Sequence, residues 1–161
     1  MSNDADTNDQ LANEIRQLRF ETPNGDDVVV ELSKISQLRL FPTGTLIFSE
    51  GERHDRIYFV CEGTVSLEMA TPNCGKQRIL TMGPGDLLSW SGLLEGGRMT
   101  ASAVVSEPTR VIEIPVADLH SLCETNYKVG YVIMKRIAHA LSRRLLSTRL
   151  QLLDFYRIEE A

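Results

Sequence analysis

Missing from this sequence is any apolar run long enough for a membrane-spanning helix. Its polar, acidic start "MSNDADTNDQ" also lacks the basic and apolar regions of a secretory signal. Both absences predict a cytoplasmic protein without membrane contact. Cysteine is scarce: Cys61, Cys74 and Cys123 stand apart, with no Cys-x-x-Cys pair or Cys/His cluster to suggest zinc or an iron–sulfur centre. Free thiols in a reducing compartment are expected. Histidine occurs only at His54, His120 and His139, and no His-x-His spacing supplies the clustered ligands of a metal-dependent enzyme. No catalytic residue and no metal site is expected, and His54 reads as a solvated turn residue.

Carboxylates are absent from one long stretch. The start is acidic (Asp4, Asp6, Asp9, Glu14, Glu21, Asp26, Asp27), whereas between Glu124 and Asp154 only Lys128, Lys135, Arg136, Arg143, Arg144 and Arg149 carry charge. The net charge of −5 argues against nonspecific nucleic-acid binding by the chain as a whole. No helix-turn-helix follows the basic segment before Ala161, and no aromatics interleave its cations, so sequence-specific DNA binding is not expected.

What is present suits one folded domain: 161 residues, 42% hydrophobic and 24% charged, enough for a sizeable core. Residues 1–10 are expected to form a disordered acidic tail. Residues 11–34 predict an N-terminal helix over "LANEIRQL" and a hairpin in "LRFETPNGDDVVVEL", where two apolar runs flank turn residues. Through 35–126, glycines and prolines punctuate short runs rich in β-branched and aromatic residues: "TLIF", "RIYFV", "TVSLEM", "QRIL", "TASAVV" and "TRVIEI". That spacing predicts a mainly β fold, a double-stranded β-helix of jelly-roll type. Pro115 then opens a short helix, and Asn126 caps a long one over 127–161.

Along that helix Met134, Ala138, Leu141, Leu145, Thr148, Leu152 and Phe155 alternate spacings of four and three, a coiled-coil seam. Ile133 and Ile137 form a second stripe suited to packing on the β-roll. The upper helix is expected to cover the roll and the Leu145–Phe155 end to pair in a parallel homodimer, with Leu141, Leu145, Thr148, Leu152 and Phe155 as its seam.

The segment "LFPTGTLIFSEGERHDRIYFVCEGTVSLEM" resembles the opening of the cyclic-nucleotide-binding domain of catabolite-activator-type regulators, kinase regulatory subunits and gated channels. The likeness rests on Phe41-Pro42, Gly44, Leu46-Ile47-Phe48, Glu50-Gly51-Glu52, Asp55, Ile57 to Val60, Gly63 and Val65, and extends over roughly Ile35 to Asp154. It implies a phosphate-binding cassette in "GPGDLLSWSGLLEGGRMTASAVV", a strand end and short helix whose amides face a cyclic phosphate. On that likeness Gly85, Asp86, Leu87 and Leu88 match a Gly-Glu-x-x stretch, with Asp86 as ribose acceptor or, equally, a helix cap. Thr100-Ala101 match the Ser/Thr-Ala pair that follows the family's phosphate-pairing arginine.

Where that arginine belongs stands Met99, and Arg98 lies one step early, on the opposite face of a strand unless a bulge shifts it. Losing the cation's hydrogen bond costs about 1.5–3 kcal/mol, so cAMP and cGMP should bind weakly or not at all. Trp90 either stacks on a ligand or fills the space of one. The candidate pocket is thus Gly85, Asp86, Leu87, Leu88, Trp90, Arg98, Met99, Thr100 and Ala101, with no obligatory cofactor and a cyclic nucleotide or other small anion as possible ligand. Two functions are expected from it: a non-catalytic regulatory sensor with a diverged cassette acting on an output protein the sequence does not name, or a ligand-free dimerisation or protein-interaction domain with a degenerate pocket.

Overall fold

A computed structural model describes residues 3–20, 25–94 and 96–159, with side chains over 7–20, 25–94 and 96–154. In chain order its elements are α1 (Asn3–Gln17), α2 (Gly25–Ser33), β1 (Gln37–Phe41), β2 (Leu46–Phe48), β3 (Arg56–Thr71), β4 (Gly75–Met82), β5 (Leu87–Leu88), a short 3₁₀ turn (Trp90–Leu93), β6 (Ser102–Pro115), α3 (Val116–Thr125) and α4 (Tyr127–Glu159). The fold is mainly β, an antiparallel jelly-roll sheet with helices at both ends of the chain, as its punctuated strand pattern predicts.

Two long strands organise it. β3 and β6 pair antiparallel and shift register between Val60 and Glu62, Glu62 and Thr64, and Thr64 and Val65. Each irregularity bends the ladder, and Gly63 sits at this bend with φ +91°, where an added Cβ would collide with the Pro108 carbonyl and stand 2.7 Å from Thr109 Cα. "RIYFV" and "TVSLEM" are therefore one continuous strand. β1 and β2 pair with β6, while β4 and β5 pair with β3.

Successive strand side chains point to opposite faces, and here both faces are covered. Ile57 and Phe59 enter a core shared with the helices, whereas Tyr58 and Val60 enter the interior of the roll. Leu87 and Leu88 divide in the same way. Fully burying a side chain such as Phe59 stabilises the fold by about 1.5–3 kcal/mol. The helical side of the first core comes from Leu11, Ile15 and Leu18 of α1, Val28, Val29 and Leu32 of α2, and Val129, Val132, Ile133 and Ile137 of α4. Glu14 also pairs with Arg110 at 2.7 Å, tying α1 to β6.

Two N-terminal expectations are corrected. The tail expected to be disordered through residue 10 is helical from Asn3; its residues 7–10 are exposed and burial begins at Leu11. The expected hairpin is absent: Gly25–Ser33 is α2, while positions 21–24 of the turn cluster lie outside the described residues. Asp26 and Asp27 suit the positive end of a helix. Helical spacing then buries Val28, Val29 and Leu32 together, overriding the preference of valine for strands. At the other end α4 starts at Tyr127, and Asn126 Oδ1 accepts from the Val129 N–H at 3.3 Å, the cap read from sequence.

Candidate functional site

The loop between β4 and β6 is pinned at its first turn. Gly85 (φ +87°) donates its N–H to the Val60 carbonyl at 2.8 Å, and Asp86 Oδ2 accepts from the Gly83 N–H at 2.9 Å. The other carboxylate oxygen of Asp86 accepts from Arg143 Nη1 of α4 at 2.6 Å. Asp86 therefore closes its own turn and clamps the long helix to it. Leu87 and Leu88 follow as β5, paired with Phe59 and Tyr58 and buried in the two cores.

After β5 the chain reverses sharply. Ser89 adopts φ +65°, a left-handed conformation that non-glycine residues adopt rarely, and the short turn Trp90–Leu93 begins immediately after it. Across the loop Met99 is 3% exposed; its N–H donates to the Glu52 carbonyl at 2.8 Å, and its carbonyl accepts from Gly51 N–H at 2.7 Å. Ser89 Oγ points at Met99 Sδ, 3.5 Å away. Arg98 is turned outward, its Nη1 on the Gly51 carbonyl at 2.9 Å. No bulge brings it inside.

Trp90, Met99, Thr100 and Ala101 line one small cavity of about 20 Å³, together with Phe48, Leu67 and Arg144. Arg144 comes from α4, its guanidinium carbon 5.1 Å from the centre of the Trp90 ring. Trp90 Nε1 and Arg144 Nε are both buried without a hydrogen-bond partner. Burial pushes the Arg144 pKa down, only partly offset by Asp86. An unpaired buried donor costs about 1–3 kcal/mol.

Of the other residues singled out from sequence, Asp86 and Leu87 line a separate groove against α4, and Gly85, Leu88 and Arg98 line neither space. The side chains of Leu141, Leu145, Thr148 and Leu152 are exposed along α4, and that of Phe155 lies outside the described residues. Sequence reasoning passed over Arg144 and Ser89 in the candidate pocket. Arg144 was legible in principle, since it continues the inward stripe of Ile133, Ile137 and Ala140 by one helical turn. The left-handed Ser89 has no such signal.

His54 is not the solvated residue its turn position suggests. Its ring lies 5.3 Å from Phe48 and 5.6 Å from Tyr58, and Nε2 is 2.9 Å from the Tyr58 hydroxyl. Burial pushes its pKa down, against the pull of Glu52 and Asp55, and pushes the Tyr58 hydroxyl up to about 12. The folded state therefore binds the His54 proton less well than the unfolded chain does. Its contribution to stability is present above the ordinary histidine value of roughly 6.5 and is lost as pH falls below it. The melting temperature should drop between pH 7 and pH 5, and His54→Gln should flatten that drop; an equal drop in the variant would exclude His54 as its source.

The cyclic nucleotide-binding domain profile matches residues 38–126. The chain is 35% identical over 126 residues to the cyclic AMP receptor protein of Thermus thermophilus, covering 78% of this chain and 56% of that one. It is 31% identical over 120 residues to a cyclic nucleotide-gated potassium channel of Mesorhizobium japonicum, covering 74% of this chain and 31% of the channel. The chain thus spans about half or less of the length of these relatives. A cyclic nucleotide-binding domain from Methylobacillus flagellatus superposes with a TM-score of 0.77 at 21% identity, over 91% of this chain and 83% of that one. The fold is thus shared with that domain, and with the family profile matched over more than half of its length the chain belongs to the cyclic nucleotide-binding domain family.

Proposed function

We propose that this chain is a non-catalytic sensor module of the cytoplasm, in which a small ligand at the cassette loop shifts α4 and so changes what the far end of that helix contacts. Its cassette has diverged, so cAMP and cGMP bind weakly or not at all. The observation that carries this reading is at Met99, which the sequence likeness sets in place of the family's arginine: its side chain is buried, and Arg98 beside it faces out to the Gly51 carbonyl.

The register of the cassette supports it further. The short helix starts at Trp90 after a left-handed Ser89, a conformation glycine adopts at little cost, so the Gly-Glu pair placed at Gly85-Asp86 from sequence fits better at Ser89-Trp90. Asp86 is already engaged by Gly83 and Arg143. Both polar anchors of a cyclic nucleotide, the ribose acceptor and the phosphate cation, are then replaced by apolar side chains. A cavity of about 20 Å³ is also far below the roughly 300–1,000 Å³ typical of small-molecule sites, so a ligand must displace Arg144 or Trp90 to enter. Such displacement links occupancy to the position of α4, and the shift is set by the ligand's different affinity for the two positions.

A second reading, a ligand-free dimerisation or protein-interaction domain, draws on the exposed stripe of Leu141 (43%), Leu145 (53%) and Leu152 (55%). A thermal-shift screen of cyclic mononucleotides, cyclic dinucleotides and small anions separates the two, because a ligand bound only by the folded state must raise its melting temperature. The sensor reading expects a rise with at least one compound and little with cAMP. No rise with any compound favours the second.

A further inference from the structure

A groove of about 330 Å³ runs between β4, β5 and α4, separate from the cassette cavity. Its apolar walls are Leu80, Met82 and Leu87 on the strand side and Ala140, Leu146 and Leu150 on the helix side. Asp86 and Arg143 also line it, but they neutralise one another at 2.6 Å. Arg144 is different. It lines both the groove and the cassette cavity, forms no ion pair with a described carboxylate, and holds its buried Nε without a partner.

We propose that this groove binds an amphipathic anion, an apolar carboxylate of fatty-acid type, with its acid group on Arg144 and its hydrocarbon body along the leucine walls. A charged head is required because the one cation of the groove without a partner is partly desolvated, and an acceptor oxygen there satisfies both charge and donor. An apolar body is required because inorganic phosphate or acetate would leave most of the lining uncovered. A second copy's α4 fits poorly as occupant: between Glu124 and Asp154 it carries no carboxylate, and so brings cations rather than acids to Arg144. Because the Arg144 guanidinium also lies over Trp90, an anion in the groove draws it from the ring and alters the cassette from outside.

Trp90 is the single tryptophan of the chain, so its fluorescence reports directly on that movement. Decanoate, added below its micellar concentration, should give a saturable change, while decanol and acetate should bind at least tenfold more weakly. Arg144→Ala should weaken decanoate binding measured by calorimetry about ten- to a hundred-fold. Leu150→Glu tests the same groove at a position 54% exposed, where folding is not at risk, and should weaken decanoate by repulsion. Equal affinity for decanoate and decanol, or full affinity in both variants, overturns the proposal. So does a wild-type dimer, seen by light scattering, that leaves decanoate silent, since the partner then covers the groove. The proposal stands apart from the cassette reading: a silent cyclic nucleotide screen does not touch it, and silence of decanoate does not touch the cassette.

Discussion

Met99→Arg should destabilise the ligand-free protein and at the same time give it a response to cAMP. Met99 lies in the interior of the roll, 3% exposed, and shares its cavity with Arg144. A second cation there has no carboxylate to meet, and an uncompensated buried charge costs about 3–5 kcal/mol. A cyclic phosphate supplies the missing partner. The melting temperature of the variant should therefore fall below wild type without ligand and recover with cAMP; at a hundredfold excess over Kd the ligand returns about 2.7 kcal/mol. Scanning calorimetry with and without cAMP reads both effects. A variant that melts like wild type and ignores cAMP would show that position 99 does not face the phosphate.

The second large effect is expected at the far end of α4, where Leu145→Asp or Leu152→Asp should convert a homodimer into monomers. These leucines are 53% and 55% exposed in the single chain, on a face about a quarter turn around α4 from the stripe of Ile133 and Ile137 that packs on the roll. In a parallel pair the seam brings Arg149 of one helix toward Arg144 of the other with no acid between them, so affinity is modest and rises with salt. Stacking of Arg144 on Trp90 draws one of those cations away from the seam and relieves part of the repulsion. Each aspartate would replace a seam leucine with a carboxylate that must lose its water on pairing, costing several kcal/mol per ion, enough to abolish pairing at micromolar concentration. Light-scattering chromatography should find dimers for wild type and monomers for either variant. A wild-type monomer at high concentration contradicts the seam.

Legibility of the fold followed the range of the interactions that specify each part. Gly63 and the alternating residues of β3 announced the roll because strand periodicity and left-handed turns are written locally. α2 was misread because "VVV" fits a strand as well as a helix, and only the packing of Val28, Val29 and Leu32 against the first core decides between them. The left-handed turn at Ser89 was not legible, since no serine announces a φ of +65°. The contacts from Asp86 to Arg143 and from Trp90 to Arg144 span more than fifty residues, and only the assembled roll brings α4 back onto that loop. His54 was misjudged for the same reason: Phe48 and Tyr58, which bury it, come from two different strands.

The most direct measurement is titration calorimetry of cAMP into the wild-type protein, run beside Arg98→Ala. If Met99 has replaced the phosphate cation and Arg98 faces the Gly51 carbonyl, cAMP should bind weakly or give no heat, and Arg98→Ala should change nothing. Tight binding by wild type that disappears in Arg98→Ala would contradict this, because it would place Arg98 inside the pocket and Met99 outside it.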